Sequence, residues 1–206
     1  MRVVWALGRA AEHHVRTQLI KSMPGNSYGD WSCPCGRSSH RGQFKRRTCG
    51  SCGHPVAIYG EAHIQSEDYR LSGSPDFVWV HREEFHLVEI KSIKRDGFEA
   101  LVAPLLNHTH QVKLYAYLYH LAGHRVSQTQ RIIYVAKDYI QGGVYREFTV
   151  TQNFNAPEPW LTRCLEDALV ATQTAEVPPR LMACDNPNSA RARRCPMVGT
   201  CFSLSA

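Results

Sequence analysis

The chain has 206 residues, of which 43% are hydrophobic and 20% charged, and this balance excludes a disordered or collagen-like protein. The formal charge of +6 favours an acidic partner such as nucleic acid. The sequence has no apolar run long enough for a membrane span, and its N-terminal apolar run is too short for a signal peptide. We therefore expect a soluble cytoplasmic protein without a membrane partner, folded as one domain.

The first third of the chain predicts a helix, a cysteine-rich loop and a strand. Apolar residues recur at helical spacing over residues 3–22, and Pro24 and Gly25 end that helix. Residues 30–54 are rich in Cys, Gly, Arg and Ser, a composition that is typical of a loop or a metal-binding knuckle. Residues 55–66 predict a strand.

The rest of the chain predicts a hairpin followed by alternating helices and strands. Residues 75–81 and 85–93 are rich in β-branched and aromatic side chains, with a polar turn between them. The elements that follow are a helix over 107–122, strands over 130–137 and 144–150, and a helix over 157–175. This order predicts an α/β fold in which a mixed sheet is flanked by helices.

The early cysteines form two closely spaced pairs, and in a reducing cytosol such pairs favour a metal site over disulfides. Both pairs are followed by glycine, as in the two knuckles of a zinc ribbon. The first pair is one residue shorter than usual, so His40 or His54 could replace one thiol. Free thiols or a degenerate ribbon are the alternatives to zinc. The proposed ligands of this zinc-ribbon-like insertion (residues 30–54) are Cys33, Cys35, Cys49 and Cys52.

Two arginine-rich segments accompany the cysteines and could follow a phosphate backbone. The alternative is that they are solvated loops without a ligand. The candidate DNA-binding residues are Arg41, Lys45, Arg46 and Arg47 in the early segment, and Arg191, Arg193 and Arg194 in the late one.

The predicted hairpin carries the residues that best suit catalysis. Glu89 and Lys91 lie two positions apart on one strand, so they share a face, and Asp76 begins the other strand. Carboxylates suit a hard cation such as Mg²⁺ or Mn²⁺, and a lysine can position water or neutralise a transition state. The alternative is a surface ion pair of little energetic value. An unpaired glutamate within this apolar strand would be costly, which favours the metal site.

These residues resemble the signature of the PD-(D/E)XK nucleases, whose fold is restriction-endonuclease-like. The sequence also resembles the RecB-like exonuclease branch in several ordered motifs. These are Gly8 to Glu12 on the first helix, Tyr59-Gly60-Glu61, Gly73 to Asp76, Glu89-Ile90-Lys91, and Gln111 with Tyr115 on the helix after the hairpin.

The resemblance implies a role for each matching residue. Asp76 and Glu89, with the carbonyl of Ile90, would bind catalytic Mg²⁺ or Mn²⁺, and Lys91 would act on water and the scissile phosphate. Glu12 would be a further metal ligand or an orienting group, although many RecB-like proteins carry histidine there. The resemblance assigns Gln111 and Tyr115 to the DNA strand or to steadying the site; an ordinary helix face is their alternative.

The late cysteines belong to a cysteine-rich tail, residues 178–206, and an earlier helix. CRISPR-associated exonucleases and AddB-type subunits of the RecB-like branch hold an iron–sulfur cluster in four cysteines. The spacing of Cys195 and Cys201 resembles the last pair of that set, but Cys184 lies farther upstream than the pattern requires. The late ligand set, for iron–sulfur, for zinc or for no metal, is Cys164, Cys184, Cys195 and Cys201.

The sequence therefore predicts a metal-dependent deoxyribonuclease, a hydrolase of phosphodiester bonds that acts as an exonuclease or end-processing enzyme. Linear or single-stranded DNA ends are the expected substrate, in replication, recombination, repair or phage and CRISPR defence, with protein partners possible in such complexes. The alternatives are a non-catalytic DNA-binding or assembly module on a nuclease scaffold, and a site-specific endonuclease.

Overall fold

The computed structural model describes residues 2–137, 145–173, 186–189, 192–195 and 198–203. The helices are α1 (Arg2–Ser22), α2 (Arg95–Glu99), α3 (Leu106–Leu121), α4 (Pro159–Gln173) and α5 (Val198–Ser203), with a short 3₁₀ turn at Ala192–Arg194. The strands are β1 (Ser27–Ser32), β2 (Ser39–Gln43), β3 (Ile58–Gly60), β4 (Ile64–Ser66), β5 (Leu71–Gly73), β6 (Phe77–His81), β7 (Glu84–Ile93), β8 (Thr129–Ala136) and β9 (Tyr145–Thr151).

Seven of these strands form one mixed sheet in the order β2-β1-β6-β7-β8-β9, and β3 pairs with the second half of β1. Strands β7 and β8 are parallel, and the chain crosses between them through α2 and α3. The other pairs are antiparallel, and β4 and β5 form a separate two-stranded ribbon. The predicted mixed α/β architecture is confirmed.

Helices cover both faces of the sheet. On one face, Phe77, Val88 and Ile133 form a buried cluster with apolar side chains of α1, such as Val15 and Leu19. On the other face, the larger core joins the sheet to α3. Its members include Val78, Leu87, Ile132 and Tyr134 from the strands and Val112, Ala116 and Tyr119 from the helix. Because successive side chains of β6 and β7 point to opposite faces of the sheet, these strands contribute apolar residues to both clusters.

The structure confirms the predicted hairpin and the main helices. Strands β6 and β7 pair with Phe77 opposite Val88 and His81 opposite Glu84. Helix α3 begins and ends one residue before the predicted bounds, and α1 matches its predicted range within one residue. Helix α4 covers 159–173 of the predicted 157–175, and residues 174–175 lie outside the described part of the chain.

Two predictions for the N-terminal third were wrong. Residues 30–54 do not form only a loop, because β1 and β2 pair within that range and join the main sheet. The predicted strand over 55–66 is two short strands, β3 and β4, which belong to different sheets. Strand β5 and helix α2 were not predicted. Polar, glycine-rich strands of three to six residues lack the alternating pattern that makes a strand recognisable.

Most of the predicted tail, residues 178–206, lies outside the described residues, and the structure describes only three short pieces of it. Among the helices that are described, none combines the length and the apolar character that crossing a membrane requires.

Candidate functional site

The register of the β6–β7 hairpin brings Asp76 and Glu89 together. Phe77 lies opposite Val88, so Asp76, one residue earlier, falls beside Glu89 just before β6 begins. Asp76 Oδ2 accepts a hydrogen bond of 2.7 Å from the backbone N–H of Ile90. Lys91 Nζ lies 2.5 Å from Glu89 Oε1. The three charged side chains that the sequence predicted to converge therefore lie on neighbouring strands in one site.

Burial opposes ionisation of both carboxyl groups. Desolvation raises the pKa of Glu89 to about 8, and the neighbouring charge of Asp76 adds to this effect. Desolvation also raises the pKa of Asp76 to about 6, although the N–H of Ile90 partly stabilises its charge. Burial would lower the pKa of Lys91, but attraction to Glu89 and Asp76 outweighs it and the pKa is raised. Ionisation of both carboxyl groups is therefore unfavourable in the folded chain, and a bound cation would stabilise the ionised form.

Each carboxylate uses one oxygen within the protein and keeps the other for a further partner. Glu89 is only 2% exposed, and its Oε2 has no hydrogen-bond partner among the described residues. Asp76 Oδ1 is 4.0 Å from Arg16 Nη1. A buried carboxylate oxygen without a partner is costly unless a ligand satisfies it. The donor chemistry of this pair fits a hard divalent cation.

Glu12 is anchored beside this pair by β7. Its Oε1 accepts hydrogen bonds from the Ser92 hydroxyl, at 2.8 Å, and from the Ser92 backbone N–H, at 3.2 Å. Helix α1 approaches β7 closely at Gly8, where an added Cβ would lie 2.7 Å from Ser92 Oγ. The glycine and the glutamate of this sequence motif therefore act together: the first permits the contact and the second makes it. Of its two expected roles, this geometry fits the orienting one.

Gln111 and Tyr115 lie one turn apart on α3, and the Gln111 amide donates a 3.0 Å hydrogen bond to the Tyr115 hydroxyl. Burial raises the pKa of Tyr115, and the charges of Glu89 and Lys91 also act on it. An added Cβ at Gly73 would lie 2.2 Å from the Tyr115 ring. Gly73, three residues before the aspartate, thus makes room for the tyrosine beside the charged residues.

Arg16 and Glu61 form an ion pair at the entrance to this group, and sequence reasoning did not assign them a charge-pairing role. Arg16 Nη1 bonds Glu61 Oε1 and lies 4.0 Å from Asp76 Oδ1. The position of Arg16 on α1, one turn after Glu12, was the sequence feature that could have indicated its place near the site. Nothing in the sequence indicated that Glu61 would meet it, because their contact spans 45 residues.

The early cysteines form a compact group. The ligand atoms of Cys33, Cys35, Cys49 and Cys52 all lie within 4.8 Å of one another. The Cys33 and Cys35 sulfurs are 3.1 Å apart, and those of Cys35 and Cys49 are 3.7 Å apart. Four thiolates around zinc, at Zn–S distances near 2.3 Å, lie about 3.8 Å from one another. These four side chains could hold a metal ion such as zinc.

Backbone geometry prepares both cysteine pairs for metal binding. Gly36 and Gly53 follow the pairs at equivalent positions, both with φ of +70°, which is favourable only for glycine. The Cys35 thiol, assisted by the N–H of Ser38, lowers the pKa of Cys33 to about 6. Nearby backbone N–H groups likewise lower the pKa of Cys49. Cys33 and Cys49, one in each knuckle, therefore favour the thiolate form that binds metal, whereas the hydrogen bond with Cys33 raises the pKa of Cys35 to about 12.

Neither histidine that could have replaced a thiol belongs to this group. His54 Nδ1 lies 2.9 Å from the carbonyl of Cys52, and His40 lies opposite Trp31 in the β1–β2 pair. The four cysteines suffice for a tetrahedral site despite the short spacing of the first pair.

In the part of the chain that the structure describes, the cysteine group is the single set of three or more such ligands within 4.8 Å. Glu12, Asp76 and Glu89 do not form a second set. Cys164, Cys195 and Cys201 do not form one either, and Cys184 lies outside the described residues. The late metal site therefore stays a prediction.

The predicted basic residues are not equivalent in the structure. Arg41 forms a two-pronged ion pair with Asp30, at 2.7 and 2.8 Å, and also bonds the carbonyl of His63. The other three early candidates, Lys45, Arg46 and Arg47, are exposed. Arg193 is exposed, the side chain of Arg194 is not described, and Arg191 lies outside the described residues. Within the early segment, residues 45–47 therefore form an exposed basic stretch.

No protein-family model and no curated protein matches this sequence.

Proposed function

We propose that this chain is a metal-dependent DNA nuclease of the exonuclease or end-processing type. The observation that supports this most strongly is the geometry of the hairpin. Asp76 lies beside Glu89, Lys91 bonds one oxygen of Glu89, and the other oxygen is buried without a partner among the described residues. The resemblance to RecB-like PD-(D/E)XK nucleases adds Glu12, Gln111 and Tyr115, which lie on the helices either side of the sheet.

The residues divide the work of hydrolysis among them. Asp76 and Glu89, with the carbonyl of Ile90, would hold Mg²⁺ or Mn²⁺. When bound, such an ion supplies charge stabilisation at the scissile phosphate and lowers the pKa of a water. The Lys91 ammonium, fixed against Glu89, orients the attacking water and neutralises charge that develops on the phosphate. Glu12 holds the end of β7 in place through Ser92.

We propose zinc for the four early cysteines, with a structural role. The set is complete without a water or substrate ligand, which is typical of structural sites. Three of the cysteines, Cys33, Cys49 and Cys52, pack with Trp31 and Val56 into a small core. The ion therefore stabilises the β1–β2 region, and the adjoining exposed residues 45–47 are proposed to contact DNA phosphates.

For the late cysteines, we retain iron–sulfur, zinc and no metal as alternatives. Elemental analysis and a visible spectrum of anaerobically purified protein separate them. About four irons per chain with brown colour would support a [4Fe–4S] cluster. One zinc and no iron would indicate the early site alone, and two zincs would indicate that both groups bind this metal.

The central experiment follows cleavage of end-labelled linear DNA and closed circular DNA during titration with Mg²⁺ and Mn²⁺. We expect product from the linear substrate alone, and a decrease of roughly 10³-fold in rate for Lys91→Ala with DNA binding preserved. Lys94→Ala is the matched control, because Lys94 is exposed three residues farther along the chain.

The result can contradict the proposal in three ways. A Lys91→Ala variant that cuts at the wild-type rate would remove the assigned mechanism. Binding without any product in either metal would favour the non-catalytic DNA-binding module. Cleavage of the closed circle would replace the end-dependent enzyme with an endonuclease.

A further inference from the structure

His108 lies on the face of α3 that carries Gln111 and Tyr115, one turn before the glutamine. Helical positions three and seven residues apart share a face, so the three side chains form a row along the helix. The row lies near the charged residues of β7. The charges of Glu89 and Lys91 act on the pKa of Tyr115, and the charge of Lys91 helps to lower the pKa of His108. His108 was not among the residues that the sequence suggested.

Tyr134 fixes the orientation of the His108 ring. This tyrosine lies opposite Lys91 in the parallel β7–β8 pair and is fully buried. Its hydroxyl oxygen accepts a 2.9 Å hydrogen bond from the Leu105 backbone N–H and lies 2.8 Å from His108 Nδ1. The two contacts come from the segment that starts α3, so the helix start and the imidazole are held by the same phenol.

These contacts determine which nitrogen of the ring carries the proton. The buried phenol proton needs an acceptor, and His108 Nδ1 is the one in reach among the described residues. Nδ1 therefore accepts, and a neutral imidazole then carries its proton on Nε2. Burial, and secondarily the charge of Lys91, lowers the pKa of His108, so the ring is neutral near pH 7. The free side of the ring thus offers an N–H donor and no acceptor.

We propose that His108 is a substrate-contacting residue that donates from Nε2–H to a backbone phosphate oxygen of the nucleic acid, next to the phosphate at Lys91. This inference rests on the proposed nuclease function and extends it to the binding of the neighbouring nucleotide. A neutral donor beside a lysine ammonium suits an anionic oxygen and cannot bind a cation. The row from His108 to Tyr115 spans about 10 Å, or roughly three nucleotide rises of 3.4 Å.

The test compares His108→Ala and His108→Gln with the control His110→Ala. His110 stacks on Trp160 at 3.9 Å and belongs to no part of the proposed site. Binding is measured with Ca²⁺ in place of Mg²⁺, and kcat and KM are measured with Mg²⁺. We expect His108→Ala to weaken binding and raise KM about tenfold with kcat unchanged, because a hydrogen bond to a charged oxygen is lost.

Two further readouts separate a substrate contact from a structural one. Because His108 donates as a neutral group, its removal leaves the salt dependence of binding unchanged, whereas removal of a lysine reduces the slope. His108→Gln keeps an N–H donor and should recover most of the affinity. ¹⁵N NMR of the ring should show the Nε2–H form in the wild type, and Tyr134→Phe should lose this preference.

Wild-type KM and affinity in His108→Ala, in a chain that cuts DNA, would overturn this inference and leave the proposed function intact. An Nδ1–H form in the wild type would also overturn it. A wild-type chain that binds DNA in Ca²⁺ but never cuts, with weaker binding by His108→Ala, would support the contact and contradict the nuclease. A chain that neither binds nor cuts DNA would overturn both.

Discussion

The carboxylate–lysine site and the cysteine site differ in what the protein does with charge. The cysteine sulfurs lie close together, and the Cys35 thiol lowers the pKa of Cys33 while backbone N–H groups lower that of Cys49. The carboxylates of Asp76 and Glu89 are buried in a way that opposes ionisation. The cysteine site therefore favours an ionised state that binds metal. At the other site, ionisation of the carboxylates destabilises the folded state.

This difference fits two uses of a metal. A structural ion completes the fold, so its ligands are arranged to bind it permanently. A catalytic ion needs open coordination, and the residues around it conflict electrostatically until ion and substrate arrive. Substitution of ligands should therefore have opposite effects on stability at the two sites.

The largest effect on stability is expected at the cysteines. Cys49→Ser should lower the free energy of unfolding by about 4 kcal/mol, because loss of a metal is among the most damaging single changes. For a chain of this size the Tm should decrease by roughly 8–16 °C. Thermal unfolding and zinc content are measured together, with Ser51→Ala in the same turn as control. A Cys49→Ser protein with wild-type Tm would mean that the site holds no structural ion.

The opposite sign is expected at Asp76. Its folded pKa of about 6 exceeds the ordinary value of 3.8, so the folded state favours the protonated form. The stability that the protonated Asp76 carboxyl contributes to the folded state is fully present below about pH 4. It is lost as the pH rises through 6. Without added Mg²⁺, Asp76→Asn should therefore become more stable than wild type between pH 5 and 7, by up to about 3 kcal/mol.

Denaturant unfolding at several pH values measures this difference, and Asp68→Asn, an exposed aspartate, is the control. Saturating Mg²⁺ should reduce the advantage of the asparagine, because the ion stabilises the ionised wild-type carboxylate. An Asp76→Asn variant that is less stable than wild type at pH 7 would show that the ionised carboxylate at this position does not destabilise the folded state.

A smaller effect is expected from Gly73→Ala, which tests how closely Tyr115 approaches β5. The new Cβ would meet the tyrosine ring at 2.2 Å, so the ring must move, at a cost of about 2 kcal/mol. The cleavage rate should also decrease, since the ring borders the catalytic residues. Gly25→Ala is the matched control because its Cβ would meet nothing within 4 Å. Equal stability of the two variants would indicate that Tyr115 adapts without strain.

Much of the geometry of the carboxylate–lysine site was predictable because it depends on local patterns. Alternation along a strand placed Glu89 and Lys91 on one face, and a short hairpin turn fixed Asp76 opposite. The same reasoning worked for α1, whose apolar residues recur at helical spacing. It also identified the four early cysteines, because closely spaced pairs followed by glycine bring ligands together by local turns alone.

Contacts between distant segments were not predictable from one sequence. Ser92 and Glu12 meet across 80 residues, and Tyr134 and His108 across 26, with no local pattern that marks either pair. Arg41 forms an ion pair with Asp30 from the neighbouring strand, which no local pattern indicated. These interactions depend on which elements become neighbours, and periodicity gives no information about that.

Strand β1 links the cysteine site to the carboxylate–lysine site. One of its edges pairs with β2, and its other edge pairs with β6 at one end and β3 at the other. Aromatic contacts continue this link, from Trp31 to Tyr59 and from Tyr59 to Phe77, the residue after Asp76. Strands of the cysteine region therefore belong to the main sheet, so this region is not a separate structural unit. Excision of residues 30–54 would remove β2 and the half of β1 that pairs with β3, and the rest of β1, which pairs with β6, would lose its support.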